Sequence, residues 1–191
     1  MKILGISASP RVGGNTDIII NEVLESAKAE GAETEFLSLA GKTINPCVAC
    51  DSCKKFGKCK YDDDVLPILE KISEADGVVI GSPVYFGDVP SQLKALIDRE
   101  RVIGKKWGSF DGKVGASVAV AWKWGHVKTL QTINTFFTVN KMVQTGIGGI
   151  PGIGMMIFAK DKGEVKENED AMKSAKALGK RVVETAKKIS E

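Results

Sequence analysis

The sequence has little histidine and no long apolar stretch, and each shortage excludes a class of protein. Its single histidine, His126, rules out His-rich metal sites and argues against a Ser/His hydrolase. No run of about eighteen apolar residues occurs, so we expect no membrane span. The net charge of +3 is small and basic residues lie among acidic ones, which argues against a nucleic-acid partner. Neither a Walker phosphate loop nor a G-x-G-x-x-G dinucleotide motif is present.

What remains is the composition of an ordinary globular domain. Apolar residues make up 43% and charged residues 27% of the 191 residues, which is enough to bury one sizeable core. We therefore expect a single domain over residues 1–191. The chain opens at Met1-Lys2-Ile3-Leu4-Gly5 with no signal-peptide pattern, so we expect a cytoplasmic location.

The only four cysteines, Cys47, Cys50, Cys53 and Cys59, form one compact C-x2-C-x2-C-x5-C run. Thiolates at this spacing can hold the corners of one [4Fe-4S] cluster if the backbone curls, and Gly57 eases the turn before the last of them. Structural zinc prefers two C-x-x-C pairs set well apart, and disulfides are rare in the cytosol, but both remain alternatives. The flanking lysines would offset a negatively charged cluster: Lys42, Lys54, Lys55, Lys58 and Lys60.

Apolar runs and helical patterns alternate along the chain. The predicted strands cover about residues 2–7, 34–39, 77–81, 114–121 and 142–145, and the predicted helices begin near Asn15, near the acidic residues 62–64, and near Pro90, Val127 and Glu167. This alternation predicts an α/β fold, a flavodoxin-like doubly wound parallel sheet of five strands with helices on both faces. The cysteine run lies in an insertion after the second strand, at about residues 42–64, here called the cysteine loop.

The segment after the first strand, residues 7–16, is here called the phosphate loop. It combines Ser7, Ser9 and Arg11 with two glycines and the start of a helix at Asn15 or Thr16. Backbone N–H groups at a helix N-terminus, together with hydroxyl donors and an arginine, are suited to binding a phosphate group. The sequence therefore predicts a phosphate site at the end of the first strand.

Residues 82–90 follow the third strand and are here called the aromatic loop. Tyr85 and Phe86 lie there between glycine and proline residues. Such a loop can place backbone amides and a ring against a flat heterocycle, although the two rings could instead plug the end of the sheet. A later glycine-rich tract, Gly146–Gly154, is either a flexible connection or a loop pressed against a partner or ligand.

Taken together, these motifs resemble the iron-sulfur flavoprotein family of anaerobic archaea and bacteria, within the NAD(P)H-dependent FMN reductase superfamily. The resemblance is carried by Ser7-x-Ser9-Pro10-Arg11-x-x-Gly14-Asn15-Thr16, Ser82-Pro83-Val84-Tyr85-Phe86-Gly87, Leu93-Lys94-Ala95-Leu96-Ile97-Asp98-Arg99 and the cysteine run. It covers about the whole chain. It implies one FMN and one [4Fe-4S] cluster per subunit, a homodimer or homotetramer, and electron exchange with a ferredoxin.

The resemblance also implies roles for individual residues. The FMN phosphate would be held by Ser7, Ser9, Arg11, Asn15 and Thr16, the isoalloxazine by Pro83, Val84, Tyr85, Phe86 and Gly87, and the cluster by the four cysteines. In place of the family's glycine-rich loop after the fourth strand, this chain has residues 121–126, in which only Gly125 keeps the pattern. There, Trp122 or Trp124 would stack on the flavin, restrict access to it, or pack at a subunit interface.

The function implied is electron transfer through cluster and flavin between a one-electron donor such as ferredoxin and an acceptor. Two alternatives stay open. One is an NAD(P)H-dependent FMN or quinone reductase that uses the cluster as a relay. The other is a zinc-stabilised FMN-binding regulator.

Overall fold

The structure, a computed structural model, describes residues 1–103, 110–147 and 153–190. The strands are β1 (Lys2–Ser7), β2 (Glu33–Ser38), β3 (Gly77–Pro83), β4 (Val114–Ala121), β5 (Val143–Gln144) and β6 (Met155–Phe158). The helices are α1 (Asn15–Ala29), α2 (Ser52–Phe56), α3 (Val65–Glu74), α4 (Ser91–Asp98), α5 (His126–Val139) and α6 (Glu169–Ser190). Short 3₁₀ turns cover Glu100–Val102 and Glu164–Glu167.

The strands form a parallel sheet in the order β2-β1-β3-β4-β5, with β6 also paired to β4. Successive residues of a strand face opposite sides of the sheet, and the central strands are apolar on both. Val79, for example, packs with α1 and α6, whereas Val78 packs with α3, α4 and α5. The predicted parallel sheet with helices on both faces is therefore confirmed.

Two short strands share the edge of β4. β5 pairs with the beginning of β4, at Val114 and Gly115, and β6 pairs with its end, from Val118 to Ala121. The sequence predicts β5 but not β6, because β6 is only four residues long and follows the glycine-rich tract. The prediction for that tract falls largely on residues 148–152, which lie outside the described residues.

The cysteine loop connects β2 to α3 and contains the short helix α2. Within the described ranges, none of the helices combines the length and apolarity needed to cross a bilayer.

Candidate functional site

The predicted flavin-binding residues come together at the carboxyl edge of the sheet. Ser7 of β1 pairs with Gly81 of β3, and Gly81 pairs with Val118 of β4, so these three strands end side by side. The phosphate loop, the aromatic loop and the segment at 121–126 leave from these ends. This is the edge at which doubly wound sheets bind ligands.

A buried carboxylate shapes the phosphate loop. Asp17, which is 5% exposed, accepts hydrogen bonds from the Ser7 hydroxyl (2.5 Å) and from the Gly13 N–H (2.7 Å). The Ser9 hydroxyl in turn accepts the Arg11 N–H (3.1 Å). The two predicted serines therefore act within the loop and hold it in shape. Sequence reasoning missed Asp17, although an acidic residue in the first turn of a helix was a visible signal.

The N-terminus of α1 lies beside this loop. Its first N–H groups have no intrahelical acceptors and lie at the positive end of the helix dipole. Thr16 is buried, and its methyl group lies 3.0 Å from the position that a Cβ on Gly81 would occupy. Within the described chain, no hydrogen bond engages the Thr16 hydroxyl. Unpaired amides and a free hydroxyl at a helix N-terminus fit a phosphate group.

The resemblance implied that Asn15 holds the FMN phosphate, but its side chain binds the turn after β6. Its Nδ2 donates to the Asp161 carbonyl (2.8 Å) and its Oδ1 accepts the Gly163 N–H (2.9 Å). Asn15 thus fastens the turn after β6 to the phosphate loop. Only its backbone N–H is left to face a phosphate.

The same turn brings a second cation to the site. The Lys162 ammonium nitrogen lies 3.9 Å from the position that a Cβ on Gly13 would occupy. The turn is held by Glu164, whose carboxylate accepts the N–H groups of Lys160 (2.6 Å) and Asp161 (2.8 Å). Lys162 therefore joins the exposed Arg11 as a charge near the helix N-terminus. No local sequence pattern could have identified it.

The aromatic loop is a tight turn with its rings turned outward. Tyr85 and Asp88 exchange backbone hydrogen bonds of 2.8 and 3.1 Å. Between them Phe86 adopts a left-handed conformation (φ 47°) and its side chain is fully exposed, while Tyr85 is half-exposed. The two rings therefore do not plug the end of the sheet. A non-glycine residue in this region is strained, a feature concentrated at ligand sites.

The segment at 121–126 packs against the aromatic loop. Gly125 has a φ of 94°, and a Cβ there would lie 2.5 Å from a methyl of Val84 and 3.0 Å from the Gly87 Cα. The Trp124 ring lies against Gly87, whereas the Trp122 ring lies under Lys123 and Lys160. Both indoles remain largely exposed. Gly125 is thus required for the two loops to meet.

The cysteine loop curls, as a compact metal site requires. Ala49, Asp51 and Gly57 all have positive φ angles, of 51°, 58° and 69°. All four cysteines are free and line one cavity of about 600 Å³, which α4 and α5 also enclose. Hydrogen bonding with Ser52 lowers the pKa of the Cys50 thiol, which favours the thiolate that binds metal.

The four thiols do not converge on one point. In the part of the chain that the structure describes, no three Cys, His, Asp or Glu side chains are arranged to hold a single metal ion. In a four-iron cluster each thiolate binds a different iron, so the sulfurs surround the core instead of meeting. Four free thiols on one cavity, with cationic side chains nearby, fit an iron-sulfur cluster.

A buried ion pair supports the cysteine loop. The two terminal nitrogens of Arg99 bind the two carboxylate oxygens of Asp63 at 2.5 and 2.9 Å, and one of them also donates to the Cys59 sulfur at 3.1 Å. Burial opposes ionisation of Asp63, but hydrogen bonds from Arg99 and Asn45 outweigh it and hold its pKa well below the ordinary value. Arg99 was noted in the sequence only as part of a helix motif, not as a site residue.

Comparison with known proteins agrees with this geometry. A profile of the NADPH-dependent FMN reductase family matches residues 1–149. The chain is 43% identical to an iron-sulfur flavoprotein of Methanocaldococcus jannaschii over 100% of both chains. It is 35% identical to an iron-sulfur flavoprotein of Archaeoglobus fulgidus over 98% of both. A WrbA-like flavodoxin from Agrobacterium tumefaciens shares the fold, with a TM-score of 0.69, 16% identity and 98% of both chains covered.

The family profile and the two relatives show a flavoprotein of redox function. The chain belongs to the NADPH-dependent FMN reductase family and, within it, to the iron-sulfur flavoproteins.

The phosphate loop can be tested by comparing two flavins. Thr16→Val keeps the packed methyl group and removes the hydroxyl, and Arg11→Gln removes the charge. Each should weaken FMN about ten-fold or more, since one hydrogen bond to a charged group contributes roughly 1.5–3 kcal/mol. Riboflavin, which lacks the phosphate, should bind as before in a fluorescence-quenching titration. The exposed neighbour Val12→Ala serves as control, and equal weakening of both flavins would refute a phosphate site here.

Proposed function

We propose that the protein transfers electrons between a one-electron donor such as ferredoxin and an acceptor, through a [4Fe-4S] cluster and FMN. The observation that carries this proposal is the cavity lined by all four cysteines. Cys47, Cys50, Cys53 and Cys59 are the proposed cluster ligands. When bound, the cluster exchanges single electrons and FMN exchanges one or two, so the pair connects one-electron donors to two-electron acceptors.

In this proposal the residues around FMN bind and orient it. Ser7 and Ser9 shape the phosphate loop, while the Asn15 backbone, the Thr16 hydroxyl and the Arg11 charge face the phosphate. The isoalloxazine is bordered by two groups of residues: Pro83, Val84, Tyr85, Phe86 and Gly87 of the aromatic loop, with Trp122 and Gly125 after β4.

The proposal needs no protein acid or base at the site. His126, the only histidine, is buried, and its Nε2 lies 2.8 Å from the Ile157 carbonyl oxygen. That ring joins the start of α5 to β6. This contact is structural.

The cysteine cavity and the aromatic loop share a wall. Lys128 and Thr132 of α5 line the cavity, and both bind Asp88 of the aromatic loop. The Thr132 hydroxyl donates to Asp88 at 2.7 Å, and the Lys128 ammonium lies 3.6 Å from its other oxygen. This shared wall supports a direct route for electrons between the two proposed cofactors.

Exposed aromatic side chains near the flavin edge support assembly into a homodimer or homotetramer. Trp122 and Trp124 are 57% and 67% exposed, and Phe86 and Phe158 are also exposed. A cluster of apolar rings of this kind is more than a solvated monomer surface usually presents. In the proposed assembly a neighbouring subunit covers these rings and shields the cofactors. A cytoplasmic location accompanies this proposal, because thiols stay reduced there.

A direct NAD(P)H-dependent flavin or quinone reductase is the second candidate, favoured by the family profile over residues 1–149. The two functions differ in the electron donor. We expect reduced ferredoxin to bleach the flavin absorbance rapidly under anaerobic conditions, and NADH or NADPH to do so slowly. Steady oxidation of NADH or NADPH by the purified protein, with no response to reduced ferredoxin, would favour the reductase instead.

Replacing any one of the four cysteines by Ala should remove or degrade the cluster while FMN stays bound, because the flavin loops lie elsewhere in the fold. Iron, sulfide, zinc and flavin analysis of anaerobically purified protein provides the measurement. Phe56→Ala, at an exposed residue of the same loop that does not line the cavity, should retain its iron. Full iron and sulfide in three of the four single variants would show that the ligand assignment is wrong, and one zinc per chain without iron would identify the zinc-stabilised regulator.

The assembly can be tested with the double variant Trp122→Ser, Trp124→Ser. Sedimentation of the wild-type holoprotein should give a dimer or tetramer, and the double variant should dissociate at a higher concentration because it buries less apolar surface. Phe36→Ser, at an exposed aromatic residue on β2, is the matched control and should assemble normally. A wild-type monomer at micromolar concentration, with both cofactors bound and exchanging electrons, would end this proposal.

A further inference from the structure

The ion pair between Arg99 and Asp63 is unusual in its burial. The two side chains are 3% and 2% exposed, whereas in every other ion pair found among the described residues both side chains keep a substantial solvent-exposed fraction. Removing two charges from water is costly, and the attraction between them often fails to offset that cost. Stability alone is therefore a weak reason for this pair, and its geometry points to another role.

Asp63 holds the guanidinium in one orientation. Both carboxylate oxygens bind Arg99, and the same carboxylate accepts the backbone and side-chain N–H groups of Asn45 at 3.1 and 3.0 Å and the backbone N–H of Val65 at 3.3 Å. Arg99 also donates to the Asn45 carbonyl oxygen at 3.0 Å. A two-point contact of this kind fixes the plane of the guanidinium, which a lysine could not do.

The fixed guanidinium points one donor at a proposed cluster ligand. Its Nη2 lies 3.1 Å from the Cys59 sulfur, across 40 positions of sequence. Arg99 lines the cysteine cavity, and its Nε–H is buried with no partner among the described residues. The lysines of the cysteine loop, by contrast, are exposed, so solvent screens their charges. Arg99 is thus a buried cation in direct contact with the thiol.

We propose that Arg99, held in place by Asp63, is a positioning residue that hydrogen-bonds the Cys59 thiolate and raises the reduction potential of the cluster. A reduced cluster carries one more negative charge than an oxidised one, so a buried cation and an N–H donor at a ligand sulfur stabilise the reduced form more. The inference rests on the proposed cluster. It assigns to Arg99 a role in setting which one-electron donors can reduce the cluster.

The test compares Arg99→Gln with Arg101→Gln in reconstituted protein. Arg101 lines the same cavity but is exposed, so its removal deletes an equal charge without the buried hydrogen bond. An anaerobic redox titration followed by optical and electron paramagnetic resonance spectra gives the cluster potential, with the FMN potential as an internal reference. Arg99→Gln should shift the cluster potential to more negative values and leave the FMN potential unchanged, and Arg101→Gln should shift the cluster potential much less.

Arg99→Lys covers the case in which Arg99→Gln fails to fold. It keeps the charge but loses the two-point contact with Asp63, so it should bind a cluster of lower potential. A wild-type potential with full iron in either Arg99 variant, or equal shifts in Arg99→Gln and Arg101→Gln, would overturn the inference. So would loss of the cluster from both Arg99 variants with FMN still bound, because Arg99 would then be needed to hold the cluster. Failure of the proposed function looks different: the wild-type protein itself would contain no iron or sulfide.

Discussion

The parallel alignment of β1, β3 and β4 is the constraint on which the proposed flavin site depends. Because Ser7, Gly81 and Val118 lie in register across the sheet, three loops distant in sequence begin next to each other. The absence of a side chain at Gly81 lets α1 approach, with Ile20 atoms 2.6 Å from the Cβ position. That contact sets the helix N-terminus against the end of the sheet, where its unpaired amides face the phosphate loop.

Features that are determined by short stretches of the chain could be predicted from the sequence. Continuous apolar runs indicated the first four strands, and the topology of a doubly wound sheet then placed the predicted loops at one edge. Residues that act across long separations were missed. Lys162 reaches Gly13 from the turn after β6, and Arg99 reaches Cys59 from the end of α4. The spacing of apolar residues along the chain does not reveal such contacts, because they arise only from tertiary packing.

The cysteine loop is an insertion, yet it is not independent of the sheet. Arg99 joins it to α4, and Asp63 joins its end to the same guanidinium. On the other side of the cavity, Lys128 and Thr132 join α5 to Asp88 of the aromatic loop. A short loop with little core of its own is therefore fixed to the end of α4 by the Arg99 guanidinium.

The contact of Asn15 with residues 161 and 163 has a consequence for how the domain holds together. The family profile ends at residue 149, but the chain beyond it returns to the phosphate loop and then forms α6, which covers one face of the sheet. Any ligand that binds only the native phosphate loop stabilises the native state by mass action. Through Asn15 that stabilisation extends to the last quarter of the chain, so occupancy of the proposed flavin site and protection of the C-terminal helix from unfolding would be thermodynamically linked.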